Sequence, residues 1–190
     1  MTKRTWILVA VVVGVPLIAL AWWLGSPLIL DTMVDEAFPM SAGAEVPEGM
    51  TQQEVEALMK EAADEAPTDV EESMPEGAPR AITSGQFTDY DNFHQGRGTA
   101  TVYRLSDETR VLRFEDFEVT NGPDLHVLLV PHPNPGSRED LDGYVDLGPL
   151  KGNLGDQNYE IPGEVDISGY GSIVIYCVPF HVIFSIATLG

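Results

Sequence analysis

Cysteine is nearly absent from this chain: Cys177 stands alone in 190 residues. No internal disulfide can form, so the fold must be held by its apolar core. Methionine is missing after Met74, which leaves the C-terminal part without a thioether for a metal. Basic residues are scarce, ten against thirty acidic ones, for a formal charge of −20. That balance excludes nucleic acid as a partner, because phosphates demand basic patches. It also opposes lying flat on an anionic membrane surface, while remaining compatible with a saline habitat or a basic partner. Hydrolase signatures are missing, with no Gly-x-Ser-x-Gly. Covalent c-type haem is excluded, because no Cys-x-x-Cys-His occurs. Gly96-Arg97-Gly98 leads into strand-like alternation rather than a helix, so it does not cradle phosphate.

The N-terminus holds what the rest lacks, a long uncharged run. After Lys3 and Arg4 no charge appears until Asp31. Trp6–Leu24 is almost pure Val, Ile, Leu, Ala and Trp. At about 1.5 Å per residue a helix over about 6–28 crosses a bilayer core of about 30 Å. Trp6 and Trp22-Trp23 suit interfacial positions. Ala19-Leu20-Ala21 has the form of a signal-peptidase site, but the apolar run continues to Leu30, which favours a retained anchor. With Lys3 and Arg4 inside and Asp31, Asp35 and Glu36 outside, the expectation is a single-pass cell-membrane protein. Its N-terminus is then cytoplasmic and residues 1–30 are its anchor.

Residues 31–80 hold fourteen acids against Lys60 and Arg80 and read as an extracytoplasmic stalk. Thr51-Gln52-Gln53-Glu54 matches a capping box. Val55, Leu58, Met59, Ala62 and Ala63 follow on one face of an amphipathic helix over about 52–65, ended by Pro67. From Asp64 to Pro79 the chain is acidic and proline-interrupted, a spacer by composition. Asp31–Met50 differs, since Val34, Phe38 and Met40 give it the means to pack on something.

From residue 81 to 190 the pattern becomes short alternating runs between turns. Thr99–Leu105, Arg110–Phe114 (with Phe117 and Val119 continuing its apolar side), Leu125–Val130, Val145–Leu147, Gln157–Ile161, Ile173–Tyr176 and Val182–Phe184 read as strands. Leu125–Val130 is nearly all apolar and therefore central. Asn121-Gly122-Pro123-Asp124 is a strong turn signal. Seven or eight strands with no convincing helix make the domain all-β, an antiparallel β-sandwich of jelly-roll or Greek-key type. Pro179 cannot donate to a central ladder, so the chain turns or leaves the sheet there, placing Cys177 at a strand end with His181 on the return.

Five motifs in order then stand out: Phe114-Glu115-Asp116-Phe117, Asn121 to Val127, Leu147-Gly148-Pro149-Leu150-Lys151-Gly152, Gly155-Asp156-Gln157-Asn158-Tyr159 with Ile161-Pro162, and Ile175-Tyr176-Cys177 with Phe180. Over about Ile82–Leu189 the chain resembles the electron-transfer DM13 domain. That domain accompanies DOMON domains in Skeletor-type proteins and occurs in bacterial membrane-anchored proteins. The resemblance implies a β-sandwich and an extracytoplasmic redox role centred on a signature cysteine, here Cys177, acting as a thiol or through a prosthetic group such as haem.

Three chemistries compete. In a redox carrier Cys177 is redox thiol or cofactor ligand, with His181 or His126 as second ligand or proton partner. A blue-copper site draws on His126, Cys177 and His181. Against copper stand the missing methionine and the apolar alternating run around His181, which reads as strand. In a binding or scaffold module, Cys177 is a small core hydrophobe. His94 and His132 lie in polar or proline-rich loops and read as solvated. The inventory favours an electron carrier with a redox partner protein, or a binding module, over a catalyst.

Overall fold

The computed structural model describes residues 3–26, 30–39, 51, 54 and 79–190. Helix α1 spans Lys3–Gly25. Eight strands follow: β1 Arg80–Asp89, β2 Gly96–Arg104, β3 Arg110–Val119, β4 Leu125–Val130, β5 Val145–Pro149, β6 Gln157–Ile161, β7 Ser172–Cys177 and β8 Val182–Thr188. All their ladders are antiparallel, in the order β5-β4-β7-β8-β1-β2-β3-β6, and β5 approaches β6 so that the sheet nearly closes. The all-β antiparallel expectation therefore holds, with eight strands.

Strand β1 joins the two halves. Its first part pairs with β2 and Phe87–Asp89 pair with β8. Gly85 sits where this change of partner occurs, and a Cβ there would collide with the Thr188 carbonyl. Only glycine allows that close approach. Inside the curved sheet Phe87, Phe114 and Phe117 pack against Val127, Ile175 and Cys177. On the opposite face of β4, β7 and β8, Leu128, Val174, Ile183 and Ile186 form a second cluster with Leu141, from the short 3-10 turn Arg138–Leu141. Burial on both faces is why Leu125–Val130 lacks alternation.

The N-terminal regions depart in part from the sequence reading. Side chains of α1 are described over 11–22, mostly exposed and apolar. Among the described residues no helix is long and apolar enough to cross a membrane. The capping box is formed: the Thr51 N–H donates to the Glu54 carboxylate at 2.7 Å and the Glu54 N–H to Thr51 Oγ1 at 3.3 Å. The helix expected to follow over 52–65 lies outside the described residues except Glu54. So does the spacer, except Pro79. Residues 31–39, placed with the stalk but given by Val34 and Phe38 the means to pack, lie against the sheet. Their backbone bonds to the loop before β6, and Phe38 is buried.

Candidate functional site

The site begins with the parity of β7. Ile173, Ile175 and Cys177 turn inward to the aromatic core, whereas Val174 and Tyr176 turn outward. Cys177 is fully buried. It pairs with Leu125 on one side and Val182 on the other. Its Sγ–H donates to the Pro123 carbonyl at 3.1 Å, tying the strand end to the turn at 121–124. That turn is tight for two reasons. Asp124 adopts a left-handed φ of 51°, and a Cβ at Gly122 would meet the Phe184 ring at 2.6 Å. Asp124 also accepts the Val178 N–H at 3.2 Å, joining the turn to the loop after Cys177.

Burial pushes the Cys177 thiol above its ordinary range, against a backbone hydrogen bond from Phe180, and the Asp124 charge raises it further. The group is therefore a thiol at neutral pH. Because the thiolate is the nucleophile and metal ligand, Cys177 is unreactive until its cover moves. Beside the turn lies a cleft of about 190 Å³ lined by Leu30, Asn121, Gly122, Leu125, Pro149 and Lys151, among others.

His126 lies on the other side of the sheet. Its ladder partner is Tyr176, whereas Cys177 pairs with Leu125. Alternation therefore sends the imidazole outward and the thiol inward. His126 Nδ1 lies 2.9 Å from an Asp146 carboxylate oxygen, and Nε2 lies 3.5 Å from Asp124. His181 does not continue a strand, as its apolar neighbours suggested. It occupies the β7–β8 turn with a left-handed φ of 57°. Its Nδ1 is 3.2 Å from the Tyr176 hydroxyl. Both imidazoles thus flank Tyr176 outside, with Cys177 within. Among the described residues no group of three His, Cys, Asp or Glu is placed to hold a metal ion. A haem ligated jointly by Cys177 and His126 does not fit this arrangement. The neighbouring cleft is also smaller than the roughly 300–1,000 Å³ of a typical ligand pocket.

His94, read from the sequence as solvated, is engaged. Its Nδ1 lies 2.8 Å from Asp91, and its ring packs on Phe184 with centroids 4.4 Å apart. Bonds from His94 and Phe93 hold the Asp91 carboxyl down to about 2. His132 accepts the Asn134 N–H at 3.1 Å in its exposed loop.

A family model described as electron transfer DM13 matches residues 86–189. The chain belongs to the electron transfer DM13 family. No curated protein and no solved structure matches it. A general electron-transfer role comes with DM13 membership. The matched span takes in β2 to β8, with His126, Cys177 and His181, and leaves out residues 30–39 and the start of β1.

Proposed function

We propose that this DM13 protein is a membrane-anchored, extracytoplasmic electron-transfer module whose redox-active residue is Cys177. The sequence supports the anchor: no charge appears between Arg4 and Asp31, and Trp6–Leu24 is almost wholly apolar. Lys3 and Arg4 then mark its cytoplasmic end. Retention of the chain in the membrane pellet after alkaline carbonate treatment tests that part. Release of the intact chain overturns it. The two halves of the sheet that meet at β1 are read as the faces of a sandwich.

The observation carrying the redox assignment is the place of Cys177. The domain's one sulfur sits at a strand end, bonded to the 121–124 turn that walls the cleft. Oxidation of a buried, protonated thiol requires that turn to lift, so electron exchange at Cys177 is gated by the Pro123 contact. His126 and His181 serve as surface groups beside Tyr176 rather than joint ligands with the thiol. The test is a potentiometric titration with absorption and metal analysis of the full chain in detergent, beside Cys177→Ser. A signal present in the wild type and lost in the variant is expected. A signal retained by the variant overturns the assignment.

A second reading rests on the same burial. With no exposure and a satisfied hydrogen bond, Cys177 is equally a core residue of a non-catalytic binding or scaffold module. A redox-silent wild type whose thiol resists alkylation until global unfolding gives that reading the lead.

A further inference from the structure

Residues 30–39 lie outside the span matched by the family, yet the sheet is shaped to receive them. Val34, Glu36 and Phe38 point inward with the period of a strand. The Val34 N–H donates to Leu154 O at 2.9 Å and the Glu36 N–H to Asp156 O at 3.0 Å, while the Leu154 N–H returns a bond to Thr32 O at 3.3 Å. Met33 and Leu154 form a parallel bridge. The Glu36 carboxylate takes the Lys151 ammonium at 2.8 Å and the Asn158 N–H at 2.7 Å. Phe38 packs edge-on against Tyr103, centroids 4.9 Å apart, and lies under the Arg113 guanidinium at 5.3 Å. Arg113 is itself buried, and it donates to the Glu36 carbonyl at 3.0 Å and to Asp156 at 2.8 Å.

Two glycines complete the fit. A Cβ on Gly152 would strike Thr32 O, and one on Gly155 would strike Val34 O. Those positions hold glycine where the strap passes. Its far end is equally telling. Phe38 packs on Tyr103, and Tyr103 is the ladder partner of Ala81. The chain thus leaves the strap and re-enters the sheet at the same residue.

We infer that residues 30–39 are a built-in strap of this DM13 domain, so that the short link from Ser26 to Leu30, rather than the whole run to Arg80, sets the domain's distance from α1. That link reaches about 14 Å when extended, whereas residues 26–80 in series would reach about 190 Å. The strap also sets orientation. Asp31 accepts from Asn121 at 2.8 Å and from Asn153 at 2.9 Å, and Leu30 lines the cleft. The end carrying the 121–124 turn and Cys177 therefore faces α1. Resting on the anchor proposed above, the redox partner of Cys177 is one that works at the membrane surface, within the short reach of that link.

The test uses the full chain in non-denaturing detergent, with a protease recognition site inserted between Ala66 and Pro67. After cleavage, the fragment holding α1 and the strap is expected to co-elute with the DM13 fragment on size exclusion. With Glu36→Arg and Phe38→Ala combined, the co-eluting fraction is expected to fall at least about tenfold, a change of about 1.4 kcal/mol in association. Both substitutions lie outside the matched domain, and unchanged hydrogen exchange at Val127 and Ile175 verifies that the sheet stays folded. Fragments that part without the substitutions overturn the strap, as do fragments that stay together despite them. The readout is association alone, so its failure leaves the electron-transfer reading standing.

Discussion

Within the sheet the contacts are apolar: Phe87 meets Phe114 and Phe117 edge to face at 4.9 Å, and Val127, Leu129, Ile173 and Ile175 are wholly buried around them. The strap is held differently, by backbone bonds to Leu154 and Asp156, side-chain bonds from Arg113, Asn121, Asn153 and Asn158, one half-exposed ion pair and a single buried ring. Burial of apolar surface contributes about 25 cal/mol per Å² and accumulates over many residues. Strap bonds exchange for bonds to water on release, so each contributes only about 1 kcal/mol net. The strap is therefore the unit that opens first, and the sheet the unit whose loss is global.

Phe114→Ala strikes the sheet hardest. Phe114 is fully buried and touches Phe87, Phe117 and Tyr159. Its truncation is expected to remove about 3–5 kcal/mol, read as a lower denaturation midpoint with strap and sheet lost together. A loss below about 1 kcal/mol would break the contrast from the sheet's side.

Gly152→Val strikes the strap instead. The new side chain takes the place of Thr32 O and of the Val34 side chain. The Val34 and Glu36 amides are expected to exchange at least about tenfold faster, about 1.4 kcal/mol. Those of Val127 and Ile175 keep their protection. Equal acceleration in both regions would mean that strap and sheet are one cooperative unit.

Lys151→Met should do least among the substitutions. It removes the pair with Glu36, in which both side chains remain substantially exposed, together with the ammonium's bond to the Asn158 carbonyl and its place over the Tyr159 ring. Pairs of that kind contribute about 0–1 kcal/mol. The expected fall in thermal midpoint is correspondingly small, and an effect as large as that of Phe114→Ala would make the ion pair the strap's main anchor.

The same division explains what could be read in advance. Alternation along Thr99–Leu105 and Arg110–Phe114, and the continuous run Leu125–Val130, give the strands, because side-chain burial writes itself into sequence with period two. Pro179 gives the β7–β8 turn and places Cys177 at a strand end. What alternation does not give is register between strands. A shift of one residue would place His126 opposite Cys177 and make joint ligation feasible. The ladder pairs Leu125 there instead, and the two side chains part to opposite faces. The strap was legible only as a hint, in Val34, Phe38 and Met40. Its partners Asn153, Leu154, Asp156 and Asn158 lie some 120 residues away, and backbone bonds name no residue type. Gly152 and Gly155 carry the other half of the signal, but either also reads as an ordinary turn.

Acid should separate the two regions by the smallest margin. Burial alone would raise the Glu36 carboxyl, yet the bonds from Lys151 and the Asn158 N–H and the nearby Arg113 charge outweigh it, leaving it below its usual 4.5. A carboxyl lowered in the docked state stabilises that state at every pH above its undocked value. The contribution fades as pH falls below 4.5 and through the docked value, since protonation removes the charge that Lys151 holds. The sheet's buried side chains are mostly apolar and give its inner contacts no such dependence. Hydrogen exchange at Val34, compared with Val127 between pH 6 and pH 3 after correction for intrinsic rates, should show the strap loosening first. In Glu36→Gln the difference should vanish. If the wild-type strap keeps its full protection at pH 3, its hold is Phe38 and the backbone, and the ion pair is ornamental.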